Sequence, residues 1–162
     1  ESYGSIVDVA GITVNASAES GQGGEWLLDP LDVWINGGPT HDVTPAPTFE
    51  PLVEGSGINV LDITNQLDLG TSVTVQTAAV GAETGNININ ADINKTAGGD
   101  ASLTFRSHRH IYQHGPTTIN SSSGRLHLTF HSDIDMDADG AVALWGTSIN
   151  TNGGEVVVQT LC

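Results

Sequence analysis

One short unit recurs along the second half of the chain and constrains the fold more than any other feature. An aliphatic residue, usually followed by Asn, leads into a polar turn with Gly and then into a strand-like run. The residues that open the copies are Leu67, in the weakest copy, and Ile93, Ile119 and Ile149, at spacings of 26, 26 and 30 residues. Imperfect repeats of this length are typical of solenoids, in which stacked neighbours bury a shared core.

Short runs with apolar residues at alternate positions accompany these units and are bounded by Gly, Asn, Asp and Ser. Such runs predict strands, whereas no ten-residue window shows convincing helical spacing. We expect strands at 6–9, 12–14, 31–35, 73–75, 87–89, 103–105, 126–130 and 156–158. A β-sandwich also gives short strands between glycine turns, but it does not predict repeated units. The sequence therefore predicts an all-β parallel β-helix, in one domain over residues 1–162.

Two details follow from a β-helix. Corresponding strands of neighbouring coils should pair about 4.8 Å apart, and the Asn after each aliphatic residue should stack into a ladder of side-chain amides. The stretch 37–51 holds four of the six prolines and should be an irregular excursion. Its role stays open between a cap, a loop and a partner contact.

Composition excludes several classes of function. The formal net charge is −15, from 4 basic and 19 acidic residues, so phosphate backbones and anionic bilayers would repel the chain. Its one cysteine provides neither an internal disulfide nor a cysteine-rich zinc site. We therefore expect neither a nucleic-acid partner nor membrane insertion.

The ends of the chain predict a piece of a longer protein. The sequence starts at Glu1 without a Met or a leader, and it stops at Cys162 directly after an apolar run. We expect a processed protein or a fragment, in which Cys162 is a chance residue or has lost its pairing partner. A linking thiol remains an alternative.

Several motifs resemble a known family. The segment WLLDPLDVWI at 26–35 looks like the "WLLDP-x-DV-x-I" signature of the large filamentous-haemagglutinin-type exoproteins. The run GNININ at 85–90 resembles that family's "GDI-x-VN" rung, and 119–154 is similar to its longer repeat through "SSSG", "SD", "DGAV" and "TNGG". The resemblance covers about four fifths of the chain, and 37–63 is the least typical part. The family's amino-terminal secretion domain is not matched.

The resemblance implies a right-handed β-helical shaft, secreted by a Gram-negative bacterium through two-partner secretion and exposed at the cell surface. It implies a non-catalytic adhesin segment that contacts a receptor or carbohydrate on a host or neighbouring cell. A self-assembling extracellular filament subunit that stacks end to end is the alternative. A polysaccharide-active enzyme is a second alternative, since parallel β-helices host lyases and hydrolases that use clustered carboxylates.

An acidic run offers ligands for a cation. Asp133, Asp135, Asp137 and Asp139 alternate along a turn and end at Gly140, like the opening of an EF-hand loop. The match then fails, because Gly146 stands at the position of the bidentate Glu. A Ca²⁺ site and a solvated acidic turn therefore both stay open, and no other cofactor is expected.

Histidines are concentrated near this run. Aligning 103–105 with 128–130 puts Arg106 beside His131, His108 beside Asp133 and His110 beside Asp135. Imidazole and carboxylate groups there could hold a transition metal, with His108, His110 and His131 as candidate ligands. The alternative is a set of ion pairs between coils, which would raise the histidine pKa values.

Two further sets of residues are candidates for surface chemistry. Sequons at Asn15, Asn94 and Asn120 are candidate glycosylation sites, since some adhesins of this family carry sugars on such asparagines. Aromatic residues could form a carbohydrate-binding platform if they are exposed. They are Tyr3, Trp26, Trp34, Tyr112 and Trp145.

Overall fold

The computed structural model describes residues 29–81 and 83–160, which contain fifteen strands and one helix. The strands are β1 (Asp29–Leu31), β2 (Val33–Asn36), β3 (Thr48–Phe49), β4 (Gly57–Asn59), β5 (Val73–Gln76), β6 (Ala78–Gly81), β7 (Ile87–Ile89), β8 (Ile93–Lys95), β9 (Ala101–Arg106), β10 (His110–Gln113), β11 (Thr118–Ser121), β12 (Leu126–Ser132), β13 (Ala141–Leu144), β14 (Ser148–Asn150) and β15 (Val156–Thr160), and the helix is α1 (Val60–Asp68). The predicted strands at 6–9 and 12–14 lie outside the described residues, as do Asn15 and Cys162. No helix in the described ranges is long and apolar enough to span a bilayer.

The strands wind into a parallel β-helix of about four turns, which confirms the predicted fold class. The first sheet has the order β4-β2-β7-β10-β13, the second sheet β8-β11-β14 and the third sheet β3-β5-β9-β12-β15. Every pairing within these three sheets is parallel. A separate antiparallel pair joins β1 to β6.

The register follows the sequence repeats. Ile119 pairs with Ile93 on one side and with Ile149 on the other, so three of the four opening residues lie in one column. The next column stacks the predicted asparagines, and Asn150 Nδ2 donates to Asn120 Oδ1 at 2.9 Å. The repeats were therefore a correct guide to which strands pair and in what alignment.

The core lies between the three sheets. In β12 the side chains alternate strictly between buried and half-buried, with Leu126, Leu128 and Phe130 pointing inward. Phe130 stacks on Phe105 of the coil below, with ring centroids 5.3 Å apart and planes 18° apart. Alternation of this kind buries one face of each strand, so each coil is stabilised by the apolar surface that its neighbours cover.

The helix α1 is the one short helix of the described residues, and it lies where the sequence analysis found no convincing helical spacing. Val60, Ile63 and Leu67 lie three or four residues apart and are buried together on one face. Asn59 caps the start, because its Oδ1 accepts a hydrogen bond from the Leu61 N–H at 2.9 Å. Leu67, the opening residue of the weakest repeat, therefore fills its core position from a helix that packs against β8.

The proline-rich excursion is mostly irregular, as predicted, but it also closes the first end of the solenoid. It contains β3, the edge strand of the third sheet, and isolated bridges join Val43 to Pro51 and His41 to Gly57. The chain then returns as β4 on the outer edge of the first sheet, before α1. The excursion, β4 and α1 together form what we call the first end.

Candidate functional site

The acidic run forms a loop over 133–140, between β12 and β13, which we call the acidic loop. Leu103 and Ile111 are eight residues apart, whereas their register partners Leu128 and Val142 are fourteen apart. The last coil therefore carries six extra residues at this corner. Asp133, Met136 and Ala138 take positive φ angles, which fold the insertion back on itself.

Three of the four predicted cation ligands converge in the acidic loop. Asp133, Asp135 and Asp137 each offer a carboxylate oxygen, and these oxygens lie within 4.8 Å of one another. Asp133 is 0% exposed, whereas the other two are exposed. Its Oδ1 accepts a hydrogen bond from the Asp137 N–H at 3.1 Å, while its Oδ2 is buried without a partner. Burial raises the pKa of the Asp133 carboxyl, and the neighbouring Asp137 carboxyl raises it further.

The fourth predicted ligand, Asp139, is turned to a different partner. Its Oδ2 forms an ion pair with Arg109 Nε at 2.9 Å, and its Oδ1 lies 3.9 Å from His110 Nε2. The Asp139 N–H donates to Asp137 Oδ1 at 2.9 Å, which links the two parts of the loop. The acidic loop therefore contains a cluster of three carboxylates and a fourth carboxylate that is paired with the Arg109 side chain.

The predicted alignment of the histidines with the acidic residues is correct only within the paired strands β9 and β12. Arg106 pairs with His131 as predicted, but the Asp133 N–H points to the carbonyl of Arg109, and His110 pairs with Ala141. The expected neighbours His108–Asp133 and His110–Asp135 are therefore wrong. The physical reason is that three residues connect β9 to β10, whereas eight connect β12 to β13.

The histidines do not form the predicted metal site. Among the described residues, Asp133, Asp135 and Asp137 are the one group whose ligand atoms converge, and His108, His110 and His131 lie outside it. His108 Nδ1 instead lies 2.7 Å from Thr77 Oγ1. Burial lowers the pKa values of His108 and His110, and this outweighs the opposing charges of Asp135 and Asp139. The expected rise in pKa is wrong for both.

Four aromatic side chains lie together on the outer face of the first sheet, and the sequence did not predict them as a group. We call Trp34, His110, Tyr112 and His114 the aromatic surface. Trp34 and Tyr112 lie in one register row on either side of Asn88. His114 stacks on Trp34 at 6.1 Å and packs against Tyr112 at 5.9 Å, and Tyr112 packs against His110 at 5.0 Å. The alternation of 110, 112 and 114 was the available signal in the sequence.

Polar groups lie within the aromatic surface. Asn88 is 4% exposed, and its Oδ1 lies 3.0 Å from His114 Nε2, while its Nδ2 has no partner. His110 Nδ1 is also buried without a partner. His110 joins the aromatic surface to the acidic loop, since it also approaches Asp139. The two features therefore adjoin each other on one side of the solenoid.

The other predicted surface residues are dispersed. Trp145 is 74% exposed and stacks on no ring among the described residues, while Trp26 and Tyr3 lie outside them. Asn94 is exposed and Asn120 half-buried in the asparagine column.

A separate groove lies between the proline-rich excursion and α1. Among the described residues that line it, Asp62 is the charged one, and it accepts a hydrogen bond from Thr40 Oγ1 at 2.5 Å. The groove contains none of the predicted site residues.

Comparisons with protein families, with curated proteins and with solved structures gave no match. The resemblance drawn from the motifs therefore stays an interpretation of the sequence.

Proposed function

We propose that this chain is a non-catalytic shaft segment of a secreted, adhesin-like exoprotein that mediates attachment at the surface of a Gram-negative bacterium. The observation that carries the proposal is the continuous core of stacked coils. Ile35, Ile89 and Ile111 are 0% exposed in successive strands of the first sheet, and the other two sheets repeat the pattern. A column of coils that bury their apolar residues against one another makes a stiff rod.

The positions of the acidic residues also support the proposal of a shaft segment. Most acidic residues after β7, such as Asp92, Asp100 and Asp139, lie exposed at turns and loops, and the buried Asp133 is the exception. Acids in these positions keep a long β surface soluble and repel other polyanions. A rod of this kind holds its loops and outer faces at fixed positions, which is what attachment requires.

The aromatic surface supports carbohydrate as the partner. Sugar rings pack their apolar faces against aromatic side chains, and their hydroxyl groups need hydrogen-bonding partners beside those rings. Trp34 is 36% exposed, and the exposed His114 ring that stacks on it places polar ring nitrogens beside its face. We therefore propose that this surface contacts a glycan on a host or neighbouring cell.

A glycan array followed by titration calorimetry tests this attachment role. We expect binding to neutral saccharides in preference to acidic ones, since the chain carries a net charge of −15. Trp34→Ala should weaken binding about tenfold, as the loss of one aromatic contact predicts. Trp145→Ala is the matched control, because that side chain lies outside the aromatic surface, and it should leave affinity unchanged. Absence of glycan binding, or equal effects of the two variants, would contradict the role.

The alternative, a self-assembling filament subunit, is favoured by one observation. The last coil leaves Ile149, Val156 and Val158 at 36%, 44% and 56% exposure. Electron microscopy at high protein concentration separates the two functions. Uniform fibres that disappear in Val158→Lys, but persist in the control Met136→Lys, would establish the filament, because Met136 is exposed in the acidic loop and belongs to neither end. Dispersed monomers would support the shaft segment.

A further inference from the structure

The strongest unexplained feature outside the aromatic surface is the buried carboxylate at the base of the acidic loop. Asp133 is 0% exposed, and its Oδ2 is buried without a hydrogen-bond partner. Because a buried charge without a partner is strongly unfavourable, such a carboxylate needs either a proton or a cation. The two exposed carboxylates of Asp135 and Asp137 face the same point, which favours a cation over a proton.

The spacing of the three oxygens fits one hard cation. Ca²⁺ binds oxygen at about 2.3–2.6 Å, so two ligands of one ion are separated by no more than about 5 Å. The three carboxylate oxygens lie within 4.8 Å of one another. No nitrogen or sulfur ligand joins them among the described residues, which disfavours zinc. Mg²⁺ gives up its water shell reluctantly and prefers few carboxylates in a strict octahedron.

The loop is built tightly around Asp133. A Cβ added at Gly140 would lie 2.4 Å from Asp133 Cβ and 2.9 Å from the Arg109 carbonyl oxygen, so the far end of the loop presses against its base. Glycine is required there by close approach and not by its φ angle. The two ends of the insertion are therefore held together beside the three carboxylates.

We propose that Asp133, Asp135 and Asp137 form a Ca²⁺ site that fixes the acidic loop to the last two coils. Water completes the coordination of the ion, since Ca²⁺ takes six to eight oxygens. The loop carries Asp139 two residues beyond this site, where it pairs with Arg109 and approaches His110. Bound calcium therefore orders the edge of the aromatic surface as well as the loop itself.

Titration of the chelator-treated protein with CaCl₂ tests the site, with isothermal calorimetry, thermal unfolding and amide NMR shifts as readouts. We expect saturation within about 10 mM, the range of weak extracellular calcium modules, and a rise in Tm. The amide shifts should be confined to 133–140 and its immediate contacts. MgCl₂ at the same concentrations should give a smaller rise.

Two variants separate specific ligation from general attraction to negative charge. Asp135→Asn removes an exposed ligand that forms no hydrogen bond among the described residues, and it should weaken Ca²⁺ binding about tenfold or more. Asp139→Asn removes the same charge from the same loop but leaves the cluster intact, so its affinity should stay within about twofold. Asp137→Asn serves as a second ligand variant if Asp135→Asn does not fold.

Three outcomes would overturn the proposal. They are the absence of calcium-dependent heat and Tm change up to about 10 mM, equal weakening by Asp139→Asn and Asp135→Asn, and amide shifts spread over the whole acidic surface. The last two would indicate diffuse counterion binding. None of these results depends on whether the protein binds glycans, so the site and the proposed function can fail separately.

Discussion

The two ends of the solenoid carry the same repeat but differ in what covers it. At the first end, Leu67 opens its repeat from a helix and is 0% exposed. At the other end, Ile149 opens its repeat from β14 and is 36% exposed, with Val158 of β15 at 56%. The residue types are similar, so the difference lies in the neighbours. Each coil of a solenoid is stabilised by the coils on either side, and the coil of β13–β15 pairs with only one coil among the described residues.

The helix at the first end also covers the edge strand of the second sheet. An open strand edge offers unpaired N–H and C=O groups that attract another strand. In the second sheet, α1 lies against β8, and Asp68 at its end accepts hydrogen bonds from the Thr96 and Ala97 N–H groups. A head-to-tail stack would therefore set a helix against the open edge of β14, which argues for a shaft over a simple filament.

The largest expected difference between the ends comes from truncating the two equivalent aliphatic residues. Leu67→Ala should lower the free energy of unfolding by about 3–5 kcal/mol, because it leaves a cavity in a packed core. Ile149→Ala should cost about 1 kcal/mol or less, since a third of that side chain is already exposed. Urea denaturation of both variants gives the comparison. Equal losses would contradict the assignment of a closed and an open end.

The turn glycines give a second, smaller contrast. Gly124 and Gly153 occupy equivalent turns with φ of +68° and +85°, but a Cβ at Gly124 would lie 2.3 Å from the Gly99 carbonyl oxygen. A Cβ at Gly153 meets nothing within 4 Å. Gly124→Ala should therefore cost about 2–4 kcal/mol, and Gly153→Ala only the 1–2 kcal/mol or so of a left-handed backbone.

Thermal unfolding of the two glycine variants measures this difference. The contrast depends on Gly99 lying directly below Gly124, while none of the described residues covers Gly153. If Gly153→Ala proved as destabilising as Gly124→Ala, another part of the molecule would have to cover the last turn.

The smallest expected effect is a pH dependence at the first end. Burial opposes ionisation of Asp68, but hydrogen bonds from the Ala97 and Thr96 N–H groups and the Thr96 hydroxyl hold its pKa below the ordinary value. A lowered folded pKa stabilises the protein above the unfolded pKa of about 3.9. That stabilisation is lost as the pH falls through the folded pKa.

Comparison of the Tm values of the parent protein and Asp68→Asn between about pH 2 and pH 6 measures this contribution. The parent should be the more stable of the two near pH 6, and the difference should shrink as the pH falls. A difference that stayed constant or grew in acid would show that the Asp68 carboxylate does not stabilise the helix end.

The strands and their register could be predicted because the repeats encode them. Equivalent residues such as Ile93, Ile119 and Ile149 must share a column if coils of similar length stack. The helix was also within reach of the sequence, since Val60, Ile63 and Leu67 follow helical spacing after the N-cap Asn59. Its nine residues are too short for a ten-residue search window.

The details of the candidate sites depended on features that the repeats do not encode. The six-residue insertion paired Asp139 with Arg109 and changed which acidic residues lie near His108 and His110. The aromatic surface depends on β2 lying next to β7 while β4 lies outside it, an order that the chain sequence does not reveal.

Lys95 is a further example. It follows Asn94 in a repeat and is 0% exposed, and its Nζ donates to the carbonyl oxygens of Ala97 and Ser123 in two neighbouring turns. Only the stacked geometry makes these carbonyl oxygens available to it.

Hydrogen–deuterium exchange resolved by residue compares the protection of the two ends of the solenoid in one experiment. The equivalent segments are β8 at the first end and β14 in the last coil, both of which pair with β11. We predict slow exchange at Ile93 and Asn94 and fast exchange at Ile149 and Asn150. Ile119 should exchange as slowly as Ile93, or at a rate between those of Ile93 and Ile149. Equal protection of β8 and β14, or faster exchange in β8, would contradict the contrast between a β8 covered by α1 and the exposed coil that contains β14.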